Sequence, residues 1–567
     1  MGGARELHVA VNGDDGADGT TSNPLRTIQA AAELAQPGDV ITVGPGTYRE
    51  RIDPPRGGES ESKQIIYKAA AGAEVAIKGS EVVKGWEKLE HDTWKLTLPN
   101  RFFGDFNPYA DEIRGDWFRP QGRKHHTGAV YRDGHWLVEA AKLDEVLEPA
   151  GEQALWFGRV DKIQTSLWAQ FPGVDPNEEG IEINVRQSVF YPSEPGRNFI
   201  TVRGFTLEHA ATNWAPPTAE QVGLIGTHWS KGWIIEDNTI RYSVCTGVTL
   251  GKHGDEFDNT SANSAEGYVE TIKRGLAAGW SKEKIGSHVV RRNHISHCEQ
   301  AGIVGSLGPA FSVIEDNHIH DIHIRQLFGG AEMAGIKFHG AIDTLIRGNH
   351  IHRCVRGIWL DWMTQGTRVT RNLVHDCAPR EDLFVEVNHG PFLVDHNLFL
   401  SKTSLADWSE GGAYVHNLFA GKMIARPEPN RETPWQEEHG TAIAGLATTQ
   451  GGDNRFYNNV LVAPAGLDQY DDSKQPNRMA GNLVLKDAEV RLREEEDGWT
   501  LELEGGRIPE KPGPQVTSDL LGKTLVSGQG YVRPDGSPYR LDRDYFGTES
   551  DPLPGPFAGP GPWKVWP

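Results

Sequence analysis

A short pattern of apolar and polar positions recurs along most of the chain. Each copy reads apolar–x–x–Asn–x–apolar, beginning with Ile235, Asn238 and Ile240. The repeated asparagines are Asn238, Asn293, Asn317, Asn349, Asn372, Asn397, Asn417, Asn459 and Asn482. Five of the eight gaps between them are 20–25 residues long, and the other three fit one turn with an added loop or two turns. Such a short unit cannot bury its own apolar face, so the pattern predicts a solenoid of stacked parallel strands.

The repeated asparagine also indicates how the turns stack. Asparagine tolerates the left-handed backbone conformation, and its side-chain amide can bond to equivalent asparagines in the turns above and below. The L-x-x-L-x-L signature of leucine-rich repeats is absent. We therefore predict an all-β fold, a right-handed parallel β-helix. A helix predicted over residues 27–35, between Pro24 and Pro37, would cap its open apolar end.

Residues from about 79 to 190 interrupt the repeat. They lack the asparagine and show alternating runs rich in tryptophan and phenylalanine, with a hairpin signal at Asp133-Gly134. This composition predicts an antiparallel β domain inserted between early turns of the solenoid. The predicted domains are 1–78 for the first turns and cap, 79–195 for the insertion, and 196–567 for the main β-helix and tail. A second insertion, at 258–286, is predicted to contain a helix over residues 265–278.

Lining up the segments after the asparagines brings polar side chains into one column. The segments share the form Gly-apolar-x-apolar, and the fourth fits when its corner is two residues longer. The column consists of Ser306, His339, Asp361 and Glu386. Because strands of neighbouring turns lie about 4.8 Å apart, the carboxyl groups of Asp361 and Glu386 are expected roughly 5 Å apart. Retaining glycosidases space their two carboxyl groups about 5–5.5 Å apart, whereas inverting enzymes need about 6.5–9.5 Å.

Two carboxylates so close together cannot both ionise easily, so we expect one of them to have a raised pKa and to donate a proton. Which of the two does so stays open at this point. Trp359, Trp362 and Trp408 lie beside the pair in sequence and could offer apolar faces to a sugar ring. His339, one turn below, could bond to a sugar hydroxyl or orient Asp361. Solvated acidic residues on the outer face of a solenoid are the competing interpretation.

Charge and composition exclude several partners. The chain has 57 Lys and Arg against 78 Asp and Glu, a net charge of −21, which disfavours nucleic acids and anionic membranes. No stretch approaches the roughly 18 consecutive apolar residues of a membrane span, and residues 1–8 lack the features of a signal peptide. Four cysteines in 567 residues do not form a disulfide framework. We therefore expect a reducing, cytoplasmic location, with secretion after loss of a signal as the alternative.

A set of histidines follows the same repeat. His320, His352 and His375 stand three residues after their asparagines, and His318 and His350 stand one residue after. Because no carboxylate or cysteine shares their rows, a hydrogen-bonded ladder on the surface is favoured over a zinc site. Cys298, Cys354 and Cys377 are interpreted as core packing. We expect no metal ligand among the site residues and no cofactor, and the sequence leaves open whether a structural metal ion is bound.

Several segments, none of them of low complexity, resemble one enzyme family. They are FFGDFNPY at 102–109, WAPPT at 214–218, WSKGWIIEDN at 229–238, GWSKEKIGSH at 279–288, LDW at 360–362 and FVEV at 384–387. In these segments, and over most of its length, the chain resembles the β-xylosidases of glycoside hydrolase family 120. The resemblance implies a parallel β-helix with an inserted β-sandwich, an open cleft and retaining hydrolysis of xylo-oligosaccharides without a cofactor. It also suggests a homodimer.

The resemblance assigns roles to individual residues. Asp361 matches the nucleophile and Glu386 the general acid/base. The expected substrate contacts are His339, Glu332, Trp359, Trp362, Trp408, Asp407 and Trp214. Xylose is the sugar that the resemblance implies. The family pattern has a histidine where Ala331 stands, and this difference leaves the sugar preference and the rate open.

Two alternatives from other classes remain. Parallel β-helices also house polysaccharide lyases, which need a Lys, Arg or His base and usually Ca²⁺, and whose acidic sugars an Asp–Glu pair would repel. The other alternative is a non-catalytic carbohydrate-binding protein, which would tolerate Asp361→Asn. The length of the preferred oligosaccharide and the oligomeric state have no signal in the sequence.

Overall fold

The structure is a computed structural model that describes residues 4–508 and 511–567. The density of contacts divides the chain into two units, which differ from the predicted domains. The first unit comprises Met1–Asn259, His294–Val304 and His323–Met333. The second unit comprises Thr260–Asn293, Gly305–Ile322 and Ala334–Pro567. The domain limits at 79 and 195 therefore stay a prediction.

The first unit contains three ladders of parallel strands. The first ladder is Glu6–Val9, Val40–Val43, Ile65–Ala69, Ile200–Arg203 and Ile234–Glu236. The second is Gly46–Tyr48, Val75–Lys78, Thr206–Ala210, Thr239–Ser243 and His294–Cys298. The third is Ile225–Gly226, Thr246–Thr249 and the part of the strand Ala301–Ser306 that ends at Val304. Alternate side chains of these strands, such as Ile41 and Val43, are fully buried, so each ladder turns one apolar face to the core.

The predicted N-terminal helix is present as Ile28–Leu34. Thr27 caps it by accepting a hydrogen bond from the backbone NH of Ala30, which satisfies one of the free donors of the first turn. Its apolar side, with Ile28, Ala31 and Ala32, is buried and faces the first strands of the solenoid. The prediction of a capping helix is confirmed.

The predicted insertion contains antiparallel sheets. One consists of His135–Trp136, Val130–Arg132, Glu182–Asn184 and Ser80–Val82, and the other of Val138–Glu139, Leu155–Val160, Gln164–Gln170, Thr93–Pro99 and Glu87–Lys88. A two-stranded sheet pairs Phe118–Arg119 with Gly329–Gly330. The helices here are Asn100–Phe103, a 3-10 turn, and Leu143–Leu147. Asp133 and Gly134 both have positive φ, 52° and 78°, as the predicted two-residue hairpin requires.

The second unit repeats the three-ladder plan over more turns. The first ladder is Val289–Arg291, Val313–Glu315, Leu345–Arg347, Thr367–Thr370, Phe392–Asp395, Gly412–Val415, Arg455–Tyr457 and Arg478–Ala480. The second is His318–Ile322, His350–Cys354, Leu373–His375, Leu398–Phe399, Leu418–Phe419, Val460–Val462 and Leu483–Leu485. The third is Ala334–His339, Ile358–Asp361, Leu383–Glu386, Thr403–Trp408 and Lys422–Ala425. The predicted parallel β-helix is confirmed.

The repeated asparagines of the second unit form a continuous ladder. Asn317 Nδ2 donates to Asn349 Oδ1 at 2.9 Å, Asn349 donates to Asn372 at 3.0 Å, and equivalent bonds run from Asn293 to Asn482. The predicted amide stacking is therefore correct. The expected left-handed conformation lies one residue earlier, for example at Asp316 (φ 55°) and Arg371 (φ 55°). The strand must turn sharply before the asparagine, and the asparagine itself stays in the regular ladder.

Three further elements leave the β-helix of the second unit. A helix covers Ala265–Ala277, close to its predicted range, and Ser264 caps it. A two-stranded hairpin, the arginine hairpin, consists of Glu428–Gln436 and Ile443–Thr449. The C-terminal sheet consists of Glu489–Glu495, Gly498–Glu504 and Trp563–Trp566. Short helices lie at Asp468–Tyr470 and Ser518–Leu521. In the described part of the chain, no helix is long and apolar enough to cross a membrane.

The histidines of the repeat require a correction. Their rings stack and form hydrogen bonds, as expected, but His350, His352 and His375 are buried. Trp499 and Trp566 of the C-terminal sheet lie over them, because that sheet, which carries no repeat, folds back onto this face. All four cysteines lie in the described part of the chain, are buried and form no disulfide.

Candidate active site

The predicted column of polar residues forms on the third ladder of the second unit. His339 pairs with Asp361 in the parallel register, and Asp361 pairs with Glu386. Side chains alternate between the two faces along this strand, so the fully buried Leu360 points into the core and Asp361 points to the opposite side. Asp361 and Glu386 are therefore neighbours on one face of adjacent strands, which are about 4.8 Å apart in a sheet.

Glu386 is held by two donors. Arg431 Nη2 donates to Oε1 at 2.6 Å, and the indole Nε1 of Trp359 donates to Oε2 at 3.1 Å. Glu386 is only 6% exposed. Burial and the nearby negative charge of Asp361 raise the pKa of Glu386 above its ordinary value, against the opposing pull of Arg431 and Lys337.

Asp361 has the opposite electrostatic environment. Its Oδ2 accepts from Lys337 Nζ at 2.8 Å, and His339 Nε2 lies 3.4 Å from the same oxygen. Burial alone would raise the pKa of Asp361, but the charges of Lys337, His339 and Arg431 outweigh burial and hold that pKa below its ordinary value. Its Oδ1 is buried and has no hydrogen-bond partner among the residues that the structure describes. The site thus pairs a carboxylate of lowered pKa, which has an unbonded oxygen, with a carboxyl group of raised pKa.

Aromatic and cationic side chains alternate beside the carboxyl groups. Lys337 Nζ lies 3.4 Å from the ring centroid of Trp359, and the guanidinium of Arg356 lies 4.0 Å from it. Trp359 also stacks on Phe384 with ring centroids 5.3 Å apart. These contacts fix the indole whose NH bonds to Glu386.

Trp408 extends the row by one further turn. It pairs in register with Glu386 and is partly exposed. The guanidinium of Arg426 lies 3.5 Å from its ring centroid, and Phe384 meets it edge-on at 4.7 Å. Its position continues the face that carries the two carboxyl groups.

The helix Ala265–Ala277 supplies the other side of this surface. The ring of Tyr268 lies 4.7 Å from that of His339 and 5.0 Å from that of Trp362, in both cases edge-on. The hydroxyl groups of Tyr268 and Ser306 lie 2.9 Å apart. This helix therefore holds the His339 ring next to Asp361 and also packs against Trp362.

Hydrogen bonds join the arginine hairpin to residues of the β-helix that follow Glu386. His389 Nδ1 contacts Glu410 at 2.7 Å, and its Nε2 contacts the carbonyl of Thr433 at 3.0 Å. The hydroxyl of Thr433 donates to the carbonyl of Val387 at 3.0 Å. Arg431 is thus positioned by a strand that is bonded directly to the residue following Glu386.

Asp407 is not on the face of the carboxyl pair. It pairs in register with Val385, which belongs to the buried side of its strand. Its carboxyl group accepts from Tyr470 at 2.9 Å and from Asn454 at 3.2 Å, and burial raises its pKa to about 7. The expected substrate contact at Asp407 is corrected to an internal hydrogen-bonding role, because the strand alternation turns it inward.

Two further predicted contacts, Trp214 and Glu332, belong to the first unit. Trp214 is buried, donates from Nε1 to the carbonyl of Asp116 at 2.9 Å, and packs against Phe118 and Phe328. Glu332 is 1% exposed and has a φ of 60°, in a loop after the short strand Gly329–Gly330. Their contact with substrate stays a prediction.

Two charged residues of the site were missed from the sequence. Lys337 had a signal, since it stands two positions before His339 in an aligned strand and so points to the same side. Arg431 had none, because the arginine hairpin lies outside the repeat.

Three family models match the chain. They are "Glycoside hydrolase 120, insertion domain" over residues 83–183, "Right handed beta helix region" over 223–420 and "Protein of unknown function (DUF1565)" over 11–54. The first two agree with the predicted insertion and with the predicted handedness.

Similar proteins were also found by sequence and structure. The structure of XylC in complex with xylose is 39% identical and superposes with a TM-score of 0.92 over 98% of both chains. A structure described as a glycoside hydrolase is 14% identical, with a TM-score of 0.51 over 74% of this chain and 95% of that one. The uncharacterized protein YwoF of Bacillus subtilis (strain 168) is 33% identical over 133 residues, which are 23% of this chain and 28% of YwoF.

Proposed function

The chain belongs to glycoside hydrolase family 120, and on that premise we propose that it releases xylose from β-1,4-xylo-oligosaccharides and aryl β-xylosides with retention of configuration. Asp361 acts as the nucleophile and Glu386 as the general acid/base. The observation that carries the proposal is the pairing of these two carboxyl groups on adjacent strands with opposite pKa shifts.

The first step transfers the sugar to the enzyme. Glu386, protonated because its pKa is raised, donates its proton to the glycosidic oxygen as the bond to the leaving group breaks. Asp361, kept ionised by Lys337 at 2.8 Å, attacks the anomeric carbon through its free Oδ1. A covalent glycosyl–Asp361 ester results, and Glu386 is left as a carboxylate.

The second step releases the sugar. Ionised Glu386 removes a proton from a water molecule, and the resulting oxygen nucleophile attacks the anomeric carbon from the face that the leaving group vacated. The Asp361 ester bond breaks and the carboxylate is restored. Arg431, 2.6 Å from Glu386, favours the ionised form that this step needs, and two inversions give net retention.

Xylose is supported as the sugar by the similarity to XylC, whose structure is a complex with xylose. The partly exposed ring of Trp408, in register with Glu386, suits the flat face of a pyranose ring. His339, which contacts Asp361 at 3.4 Å, is placed to bond to a hydroxyl of the bound sugar. Ala331 stands where the family pattern has a histidine, so we expect a weaker preference for xylose over related pentoses.

A panel of nitrophenyl glycosides tests the proposal. The β-xyloside should be cleaved faster than the α-xyloside, the β-glucoside and the α-arabinoside, and NMR should detect β-xylose as the first product. Asp361→Asn and Glu386→Gln should each reduce turnover by several orders of magnitude, whereas Asp468→Asn, at an exposed carboxylate outside the row, should not. First-formed α-xylose, or full activity in Asp361→Asn, would refute the assignment.

The lyase alternative finds no support at this site. A lyase needs a basic side chain free to remove a proton, whereas Lys337, His339 and Arg431 each lie within 3.4 Å of a carboxyl oxygen of the row. Incubation with polygalacturonate and alginate should therefore produce no unsaturated product that absorbs in the ultraviolet.

A further inference from the structure

A second cluster of titratable side chains lies on a different ladder from the carboxyl row. This histidine cluster consists of His318, His320, His350, His352 and His375. The histidines form two columns on the second ladder of the second unit, one of His318 and His350 and the other of His320, His352 and His375. Positions two apart in a strand share a face, so all five rings point to the outer side of the ladder. No step of the proposed hydrolysis uses them.

The ring nitrogens of the cluster converge. His318 Nε2 lies 2.8 Å from His352 Nε2, and His350 Nε2 lies 2.8 Å from His375 Nε2. Each contact joins a histidine one residue after its asparagine to a histidine three residues after the next asparagine. One ring nitrogen from each of His318, His350 and His352 lies within 4.8 Å of the other two. Nitrogen atoms about 2.0–2.1 Å from a shared zinc ion need only small side-chain adjustments from this arrangement.

Carboxylates contact the outer ring nitrogens of the cluster. Asp376 contacts His375 Nδ1 at 2.7 Å and Asp321 contacts His320 Nδ1 at 2.6 Å. Such carboxylates hold the Nδ1 proton and direct the Nε2 lone pair inward, which is the usual outer partner of a metal-binding histidine.

The fold itself does not require histidine at these places. His350 pairs in register with Leu373, and the same column continues as Leu398, Leu418 and Val460. Those aliphatic side chains pack into an apolar cluster that also includes residues of the C-terminal sheet. Imidazoles buried beneath such a sheet cost free energy that leucine would not, unless an additional interaction offsets the cost.

We propose that His318, His350 and His352 bind one divalent transition-metal ion of the Zn²⁺ type, with His375 as the fourth ligand. Neutral nitrogen donors select zinc, nickel or copper over magnesium and calcium. Because the C-terminal sheet covers the cluster, we assign the ion a structural role. By fixing the His350 ring, the ion stabilises the packing of the C-terminal sheet, whose Trp499 and Trp566 rings lie 5.0 and 5.1 Å from that ring.

The test begins with the whole protein stripped by a chelator and dialysed against Zn²⁺. One Zn²⁺ per chain should be retained, Tm should rise above that of the chelated protein, and tryptophan fluorescence should change with the same midpoint. Co²⁺ in place of Zn²⁺ should give the visible absorption of a tetrahedral nitrogen site. Absence of retained Zn²⁺ together with an unchanged Tm would overturn the proposal and leave a purely hydrogen-bonded ladder.

Three variants locate the ion. His350→Leu should lose the bound Zn²⁺, and leucine fits because the next turn carries Leu373 at this position. Asp376→Asn should weaken binding by roughly 10–100-fold, and this carboxylate is 74% exposed, so its replacement should leave the fold intact. His416→Asn is the matched control, because Asn458 occupies the equivalent left-handed position of the next turn. Undiminished binding in both His350→Leu and Asp376→Asn would place the ion elsewhere and refute the assignment.

Discussion

Lys337 donates to Asp361 across one turn of the β-helix, with its Nζ 2.8 Å from Oδ2. The lysine side chain is completely buried, and its charge faces the Trp359 ring on the other side. A buried cation next to a buried carboxylate keeps that carboxylate ionised. Among the neighbouring charges, Lys337 contributes most to holding the pKa of Asp361 down, while burial and Asp361 raise the pKa of Glu386.

Replacing Lys337 by Met should therefore impair the nucleophile. Without the ammonium group the pKa of Asp361 rises, so less of it is ionised, and kcat/KM should fall about 100-fold or more. Because activity is lost as pH falls through the pKa of the nucleophile, the acidic limb of the kcat/KM profile should move to higher pH. Lys402→Met, an exposed lysine, is the control; an unmoved acidic limb in Lys337→Met would contradict this role.

Replacing Arg431 by Met should act on the other carboxyl group. Arg431 opposes the raised pKa of Glu386, so its removal raises that pKa further. The acid form is lost as pH rises through this pKa, and the alkaline limb of the kcat/KM profile should move to higher pH. Glu432→Gln, at an exposed position of the same arginine hairpin, controls for changes in the hairpin. Because Arg431 also lowers the pKa of Asp361, the acidic limb should move as well, and an unmoved alkaline limb would contradict the assignment of roles.

The asparagine ladder should be most sensitive at its centre. Asn349 Oδ1 accepts from both the backbone NH and the side chain of Asn317, and its Nδ2 donates to Ile314 and Asn372. Asn349→Ala leaves several buried groups unpaired and should lower the free energy of unfolding by at least about 2 kcal/mol. Asn482→Ala, at the partly exposed end of the ladder, should cost less. Urea unfolding measures both, and equal losses would contradict the account.

Asp407 should make stability depend on pH near neutrality. Its pKa is raised to about 7 in the folded protein, above an ordinary value of about 3.9 in the unfolded chain. The folded state therefore holds this proton more tightly, and the free energy of unfolding should fall as pH rises from about 5 to 7, by up to roughly 1.4 kcal/mol per unit. In Asp407→Asn this decline should be smaller. Parallel pH profiles of Tm would exclude a buried, protonated Asp407.

The repeat made the β-helix and the carboxyl pair predictable from the sequence. A period near 22 residues fixes which side chains stack, so aligning turns was enough to bring His339, Asp361 and Glu386 into one register. The same alternation shows that Asp407, one residue before Trp408, must turn inward. The position of Lys337 followed from the same rule and was overlooked.

Elements outside the repeat were not predictable in this way. The arginine hairpin and the C-terminal sheet are antiparallel additions whose contacts join residues distant in sequence, such as Arg431 with Glu386 and Trp499 with His350. No periodicity specifies where such an element folds back. The histidines were consequently expected at the surface, although they are covered.

The central claim is that Asp361 forms a covalent bond to the sugar. Incubation with 2,4-dinitrophenyl 2-deoxy-2-fluoro-β-xyloside should inactivate the enzyme, because the fluorine slows both steps and the good leaving group restores the first. Peptide mapping by mass spectrometry should then find one fluoroxylosyl group, on Asp361. A label on Glu386 or another residue, or rapid hydrolysis without any covalent adduct, would contradict the account.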